Sequence, residues 1–225
     1  SATIGNLEEA ASCGSGTNTD PEIITARLKR KTKINTLKPE TLDGFPWAGH
    51  LGLAMLPELI QSLDHETSTL IFTNTRSQCE RWYQALKKAC PEMENRLALH
   101  HSSIDRDQRE ETESQVKQGN LKWVVCTSSL DLGIDFHPVE RVVQIGSAKA
   151  VARLLQRAGR SAHYPEGNSE ILFVPTNSLE LLEISAIRNV LESGSLENRI
   201  SQKKPFDVLI QHLVTLACGD GFDAK

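Results

Sequence analysis

No apolar run in the 225 residues comes near the roughly 18 needed to cross a bilayer, because charged residues interrupt every candidate stretch. Ser1-Ala2-Thr3-Ile4-Gly5 carries neither a charged leader nor a long apolar core, so no secretory signal is expected. The five cysteines, Cys13, Cys79, Cys90, Cys126 and Cys218, are odd in number, and no pair has C-x-x-C spacing. That argues against a disulfide framework and a paired-cysteine zinc site, and for a reducing, cytoplasmic compartment. An excess of positive charge is missing too: the formal charge is −4 and the pI about 6.0, so any nucleic-acid binding has to use local basic surface. There is no internal repeat. Two patterns for triphosphate handling are also absent, the G-x-x-x-x-G-K-[ST] loop and Asp-Glu-x-His. With 39% apolar and 24% charged residues, what remains is an ordinary folded domain with flanking pieces.

Residues 1–20 are small and polar, with a loop expected over 14–20. Residues 27–38 hold six Lys/Arg and no acid, the pattern of a solvated strand or linker. Pro39, Gly44 and Pro46 mark a boundary. From about residue 48, helix-period and strand-period segments alternate. Helices are expected over 51–63, 76–89, 105–117, 150–159 and 179–191, and strands over 69–73, 97–99, 123–126, 141–145 and 170–174. The alternation predicts an α/β domain with a mainly parallel sheet, functional groups lying on loops at the carboxyl ends of the strands. After Gly194 the chain changes character. Lys203-Lys204-Pro205-Phe206 leads into a helix over 207–218, the expected opening of a further small domain.

Three segments carry chemistry. In Gln156-Arg157-Ala158-Gly159-Arg160-Ser161-Ala162-His163 two arginines three apart share a helix face, and guanidinium groups offer paired donors suited to phosphate oxygens. Alone, two surface salt bridges explain them as well. Thr127-Ser128-Ser129 follows a strand, with Gly133 and Asp135 further on; its hydroxyls suit a nucleic-acid phosphate and Asp135 a ribose hydroxyl, while helix capping explains at least one hydroxyl. Phe72-Thr73-Asn74-Thr75-Arg76 ends another strand at the same edge. Gly146-Ser147-Ala148-Lys149 has the wrong spacing for a phosphate loop and reads as a turn before a helix. His100 and His101, beside Ser102 and Ser103, are possible nucleic-acid contacts rather than metal ligands. Trp82 and Trp123 read as packing; Trp47, flanked by Pro46 and Gly49, is open between packing and base stacking.

Taken together these segments resemble the later motifs of superfamily 2 helicases. Ser1-Ala2-Thr3 resembles their Ser-Ala-Thr motif, residues 72–76 motif IV, 127–135 motif V and 156–160 motif VI. Residues 1–6, 127–135 and 154–161 are similar to the Lhr family, and residues 45–53 and 72–78 to its bacterial ligase-associated DEXH-box branch. The resemblance implies a RecA-like second helicase lobe over 45–195. Before it, over 1–44, would come the tail of a first lobe and a basic linker, and after it, over 196–225, a truncated start of a winged-helix-like domain.

It implies further that ATP and Mg²⁺ serve the full-length protein, with no nucleotide held tightly by this stretch alone. Arg160 would act as an arginine finger assisted by Arg157, Gln156 would orient nucleotide or water, and Gly133 and Asp135 would lie at the nucleotide. Thr73, Asn74, Arg76, Thr127 and Ser128 would contact single-stranded DNA, tracked 3′ to 5′ in DNA repair with the first lobe, DNA ligase and nuclease as partners, and no membrane. His163 stands where many motifs VI end in arginine, so no phosphate contact is carried onto it. A non-catalytic nucleic-acid-binding or scaffold module with a helicase-like fold is the alternative. An unrelated α/β nucleotide enzyme would need a glycine loop at the first strand, which is absent. The residues alone leave DNA against RNA open.

Overall fold

A computed structural model describes residues 4–15, 21–24, 32–41, 45–49, 51–131, 139–161, 169–193, 196–198, 202–219 and 221–223. Ser1, Ala2, Thr3, Gly133, Asp135 and His163 lie outside the described residues. The chain divides into two compact units, residues 1–5 with 25–197, and residues 6–24 with 198–225.

In the larger unit six strands, β1 (Thr32–Thr36), β2 (Thr69–Phe72), β3 (Leu97–His100), β4 (Trp123–Cys126), β5 (Arg141–Ile145) and β6 (Ser169–Val174), form one parallel sheet ordered β1-β6-β5-β2-β4-β3. The central strands are mostly apolar because both faces are covered, Gln144 of β5 being a buried polar exception. Successive residues alternate between two cores. Leu70, Phe72, Val124, Cys126, Val142, Ile171 and Phe173 pack with Val151, Leu154, Ala158, Ile184 and Ile187 on one face. Ile71, Trp123, Val125, Val143, Ile145, Leu172 and Val174 pack with Leu59, Leu63, Cys79, Trp82 and Leu86 on the other. These residues come from α5 (Val151–Ala158) and α6 (Ser178–Ser193) on the first face, and from α2 (Leu56–Ser62) with its C-cap Leu63 and α3 (Arg76–Ala89) on the second. Both buried tryptophans are satisfied: Trp82 Nε1 donates to Leu51 O at 2.7 Å and Trp123 Nε1 to Asp64 O at 3.1 Å.

Local chemistry sets the element ends. Thr75 caps α3 by accepting from Gln78 N at 3.1 Å, while Gln78 Oε1 accepts from Asn74 N at 2.9 Å, a reciprocal arrangement of the capping-box kind. Cys90-Pro91 stops α3 as expected. Asp105 caps α4 (Arg106–Lys117). The basic stretch contributes β1, an edge strand in which Ile34 is buried opposite Ile171 of β6 while Lys33 is exposed. Arg188 of α6 secures it by donating to Ile34 O at 2.9 Å and to Thr36 Oγ1 at 2.7 Å. A charged edge of this kind resists pairing with other chains.

The smaller unit contains α1 (Leu7–Ser15), which lies in a stretch read from sequence as small and polar and overlaps the loop expected over 14–20 only at its last two residues, and α7 (Phe206–Cys218). No residue of α7 is buried, and Phe206, Val208, Leu209, Ile210 and Val214 are exposed. Among the described residues no helix is long and apolar enough to cross a membrane.

Candidate functional site

The strands share one direction, so their carboxyl ends lie along one edge and bring four short segments together: 73–76 after β2, 127–131 after β4, 146–150 after β5 and 175–177 after β6. The sequence-derived candidates are not equally presented there. Thr73 is fully buried and joins β2 to β4, its N donating to Cys126 O at 2.8 Å and its Oγ1 to the same carbonyl at 3.1 Å. Asn74 and Arg76 are exposed, and Asn74 Nδ2 reaches Ser147 O at 2.7 Å. The three consecutive hydroxyls have three fates. Thr127 is buried with its N donating to His100 O at 3.2 Å, Ser129 Oγ pairs with His100 Nδ1 at 2.8 Å, and Ser128 is exposed.

His100 is itself buried, with Nε2 3.1 Å from Glu113 Oε1, so it is not offered to a ligand. Burial pushes its pKa below the ordinary histidine value, and the Glu113 carboxylate opposes that shift. His101 is buried too, 3.3 Å from Glu80 Oε1. Neither histidine stands open to a nucleic-acid chain.

At α5 the structure separates the two arginines that sequence spacing put on one face. Arg157 is only 1% exposed: Nε donates to Asp131 Oδ1 at 2.8 Å, Nη2 to Asp131 Oδ2 at 3.3 Å, and Nη1 to Gln144 Oε1. Its guanidinium carbon lies 4.8 Å from the centre of the Phe72 ring. Gln144, fully buried in β5, turns its Nε2 to Ile145 O and Gly146 O, both at 3.0 Å. A buried cation is tolerable only when paired and hydrogen-bonded, and this one meets both conditions. Arg157 is therefore a tie between α5, β5 and the exit of β4. Gln156 and Arg160 are half-buried beside it. Gly159, the C-cap of α5, has Arg160 directly after it, with Arg160 N donating to Arg157 O at 2.9 Å.

The exit loops of β5 and β6 carry a second tie, which sequence reasoning did not single out. Glu180 of α6 is buried and accepts from Ser147 N at 3.0 Å, Thr176 N at 2.7 Å and Thr176 Oγ1 at 3.1 Å. Asn177 Oδ1 in turn accepts from Glu180 N at 3.2 Å. Asn-x-x-Glu before an apolar helix was the available signal. The turn it holds has positive φ at Gly146 (71°) and Lys149 (64°), as a turn before α5 requires. A Cβ on Gly146 would stand 3.2 Å from Thr176 Cγ2 and 3.4 Å from Asn74 Nδ2, so the three exit loops touch at this point.

Metal and thiol chemistry find little support along this edge. Among the described residues His65, Cys90 and Glu92 bring ligand atoms within 4.8 Å of one another. They lie at the opposite, amino-terminal ends of the strands, and burial raises the Cys90 thiol pKa, away from the thiolate a metal needs. Burial likewise pushes Cys79 up to about 12, which leaves it inert as a nucleophile.

Comparison with known proteins gives this architecture a family. Residues 52–164 match the helicase conserved C-terminal domain, and residues 189–225 match the winged helix domain of large helicase-related protein. ATP-dependent helicase Lhr-Core protein 2 of Thermococcus barophilus is 37% identical over 96% of this chain and 26% of its own length. The Lhr helicase/uracil glycosylase of Escherichia coli is 29% identical over 96% of this chain and 15% of its own. The structure of Mycobacterium smegmatis helicase Lhr bound to ssDNA and AMP-PNP superposes with a TM-score of 0.78 at 28% identity, covering 97% of this chain and 29% of that one. The chain thus spans about a quarter of the length of the Lhr-Core relatives it matches. By its RecA-like parallel sheet, its exit-loop motifs and these matches, the chain belongs to the helicase C-terminal domain family and, within superfamily 2, to the Lhr helicases.

Proposed function

We propose that this chain works as the second RecA-like lobe of an ATP-dependent DNA translocase, of the bacterial ligase-associated branch of Lhr helicases. The observation that carries the reading is the Arg157–Asp131–Gln144 tie. It fixes the last turn of α5 against β4 and β5, and so holds Gln156 and Arg160 at the edge where α/β folds bind ligands.

The donor set fits a nucleotide triphosphate bound partly elsewhere. Arg160 supplies a guanidinium for the terminal phosphate and Gln156 a neutral polar group beside it, while a nucleotide role for Gly133 and Asp135 rests on the family resemblance alone. Arg157 supports Arg160 by holding the helix end. ATP with Mg²⁺ supplies the free energy of the power stroke, and neither a phosphate loop nor an Asp-Glu-x-His carboxylate pair occurs in this sequence to hold it. We therefore expect no ATP turnover by this stretch alone.

Asn74, Arg76 and Ser128, exposed on the exit loops, are the direct candidates for single-stranded DNA, with Thr73 and Thr127 shaping the backbone beneath them. Contacts of this sort grip phosphate and carry no sequence information, which suits movement over any sequence. A role in DNA repair, with the first lobe, a ligase and a nuclease as partners, follows from the branch resemblance, and a reducing, cytoplasmic setting from the scattered cysteines. So does the division into a lead segment over 1–44, the lobe over 45–195 and the start of a winged-helix-like domain from 196.

The test is DNA-stimulated ATPase activity of the whole gene product with and without Arg160→Ala. We expect a loss on the order of 10³-fold or more, with nucleotide affinity changed far less. ATPase within a few-fold of wild type in Arg160→Ala removes the finger assignment. No ATPase in the wild-type gene product favours a non-catalytic binding module.

A further inference from the structure

One large apolar side chain on the exit edge is held out into solvent by the structure beneath it. Trp47 is 76% exposed, whereas Trp82 and Trp123 are fully buried. Its backbone is clamped on both sides. Before it, Pro46 O accepts from Ser178 N at 2.9 Å; after it, Gly49 O accepts from Asn177 Nδ2 at 2.8 Å and from Thr176 Oγ1 at 3.1 Å. Phe45 is buried in the core and anchors the incoming chain. On the outgoing side Gly52 has φ 68°, and a Cβ there would stand 2.7 Å from Thr176 Cγ2, so the turn seats directly on the β6 exit. Thr176 is also the residue against which Gly146 closes, and Asn74 Nδ2 lies against that same glycine. The Trp47 turn thus joins the row of exit loops that includes Asn74.

A single exposed apolar residue is commonplace on a protein surface. An indole on a backbone fixed at both ends, in line with polar groups suited to a phosphate chain, is arranged for a flat ligand. Stacking costs less when the backbone that carries the ring is already ordered, because that part of the ordering cost has been met in folding. It also needs little else, since every nucleobase has a π-face.

We infer that Trp47 is a stacking platform for one unpaired base of a single-stranded nucleic acid whose backbone runs past Asn74, an assignment that rests on the nucleic-acid reading above. Indole stacking is indifferent to base identity and adds affinity without adding charge. It would add grip to the phosphate contacts that the local basic surface of a chain of net charge −4 makes.

The experiment is titration of this chain with oligo(dT), read by tryptophan emission and by the salt dependence of affinity, for wild type, Trp47→Phe and Trp47→Ala. Because the other two tryptophans are buried, the emission difference between wild type and Trp47→Phe isolates Trp47. We expect oligo(dT) to quench that difference signal. Trp47→Phe should keep affinity within about three-fold, and Trp47→Ala should lose about 5- to 150-fold with the slope of log affinity against log salt unchanged. Normal salt-dependent binding with Trp47 emission untouched and Trp47→Ala at full affinity overturns the platform and leaves the nucleic-acid reading standing. Absence of any binding by wild type overturns both. If Trp47 is already shielded from acrylamide before oligonucleotide is added, a protein surface covers it, and the platform is again overturned.

Discussion

Two large side chains on the exit side of the sheet reverse the usual partition of residues between core and water. Arg157, a permanent cation, is buried; Trp47, the largest apolar side chain available, is 76% exposed. Arginine is almost never fully buried without a partner, and tryptophan is highly buried on average. The reversals have different causes. Arg157 goes inside because Asp131, Gln144 and the Phe72 ring take up its donors and its flat face, so the charge becomes a tie between three elements. Trp47 stands outside on a backbone that hydrogen bonds to Pro46 O and Gly49 O hold on either side. One residue gives up contact with ligands to hold the site together. The other gives up burial to be available.

The comparison breaks most decisively at Arg157. Arg157→Ala leaves the buried Asp131 carboxylate with only the longer ion pair to partly exposed Arg153 Nε at 3.8 Å, which costs up to about 3–5 kcal/mol and should appear as a large fall in the urea midpoint at constant m. Adding Asp131→Asn should recover a good part of that loss; no recovery would mean that packing rather than charge holds the tie. Next in size is Glu180→Ala, which strands the N–H groups of Ser147 and Thr176 and costs about 1–3 kcal/mol. Because those loops also seat the Trp47 turn, Glu180→Ala should raise hydrogen exchange at residues 146–149 and 176–177 together. Exchange rising at one loop alone would show that the loops are not a unit.

How much of this was legible in the sequence follows from how local each cause is. The bounds of α3 were readable because Cys90-Pro91 stops it and Thr75 starts it within a few residues. The parallel sheet was readable from alternating periods. β1 was not resolved beyond strand or linker, since a basic run shows its buried side only once Ile34 finds Ile171, far along the chain. Helix α1 was missed because a short polar stretch carries no apolar stripe. Spacing put Arg157 and Arg160 on one face, yet it could not show that Asp131 and Gln144, from two other segments, capture the first of them. Glu180 was legible in principle, in the pattern Asn177-x-x-Glu180, but that pattern gives a helix start and not the loop it closes.

A smaller effect sharpens the difference between buried and presented groups through pH. Burial lowers the His100 pKa from its ordinary value near 6.5, so the fold favours the neutral ring. The stability this contributes is present above that ordinary value and is lost as pH falls through the depressed folded pKa, with Glu113 opposing part of the loss. Thermal midpoints should therefore decline on acidification from pH 7 toward 5, above the range where carboxylates titrate. In His100→Gln that part of the decline should flatten. An unchanged slope in the variant would remove His100 as its source.

The smallest expected effect tests the other half of the comparison. If Trp47 is held out for a ligand and contributes nothing to the core, Trp47→Ala should change the unfolding free energy by no more than about 0.5 kcal/mol, as for other surface sites away from structural features. Arg157→Ala, also on the exit side, should cost several times as much. A loss of 2 kcal/mol or more on removing Trp47 would mean that the indole packs in solution, and its exposure would then say nothing about binding. Near-zero cost to folding together with a measurable loss of oligonucleotide affinity separates presentation from packing, because a side chain that matters only to the complex has no other way to show itself.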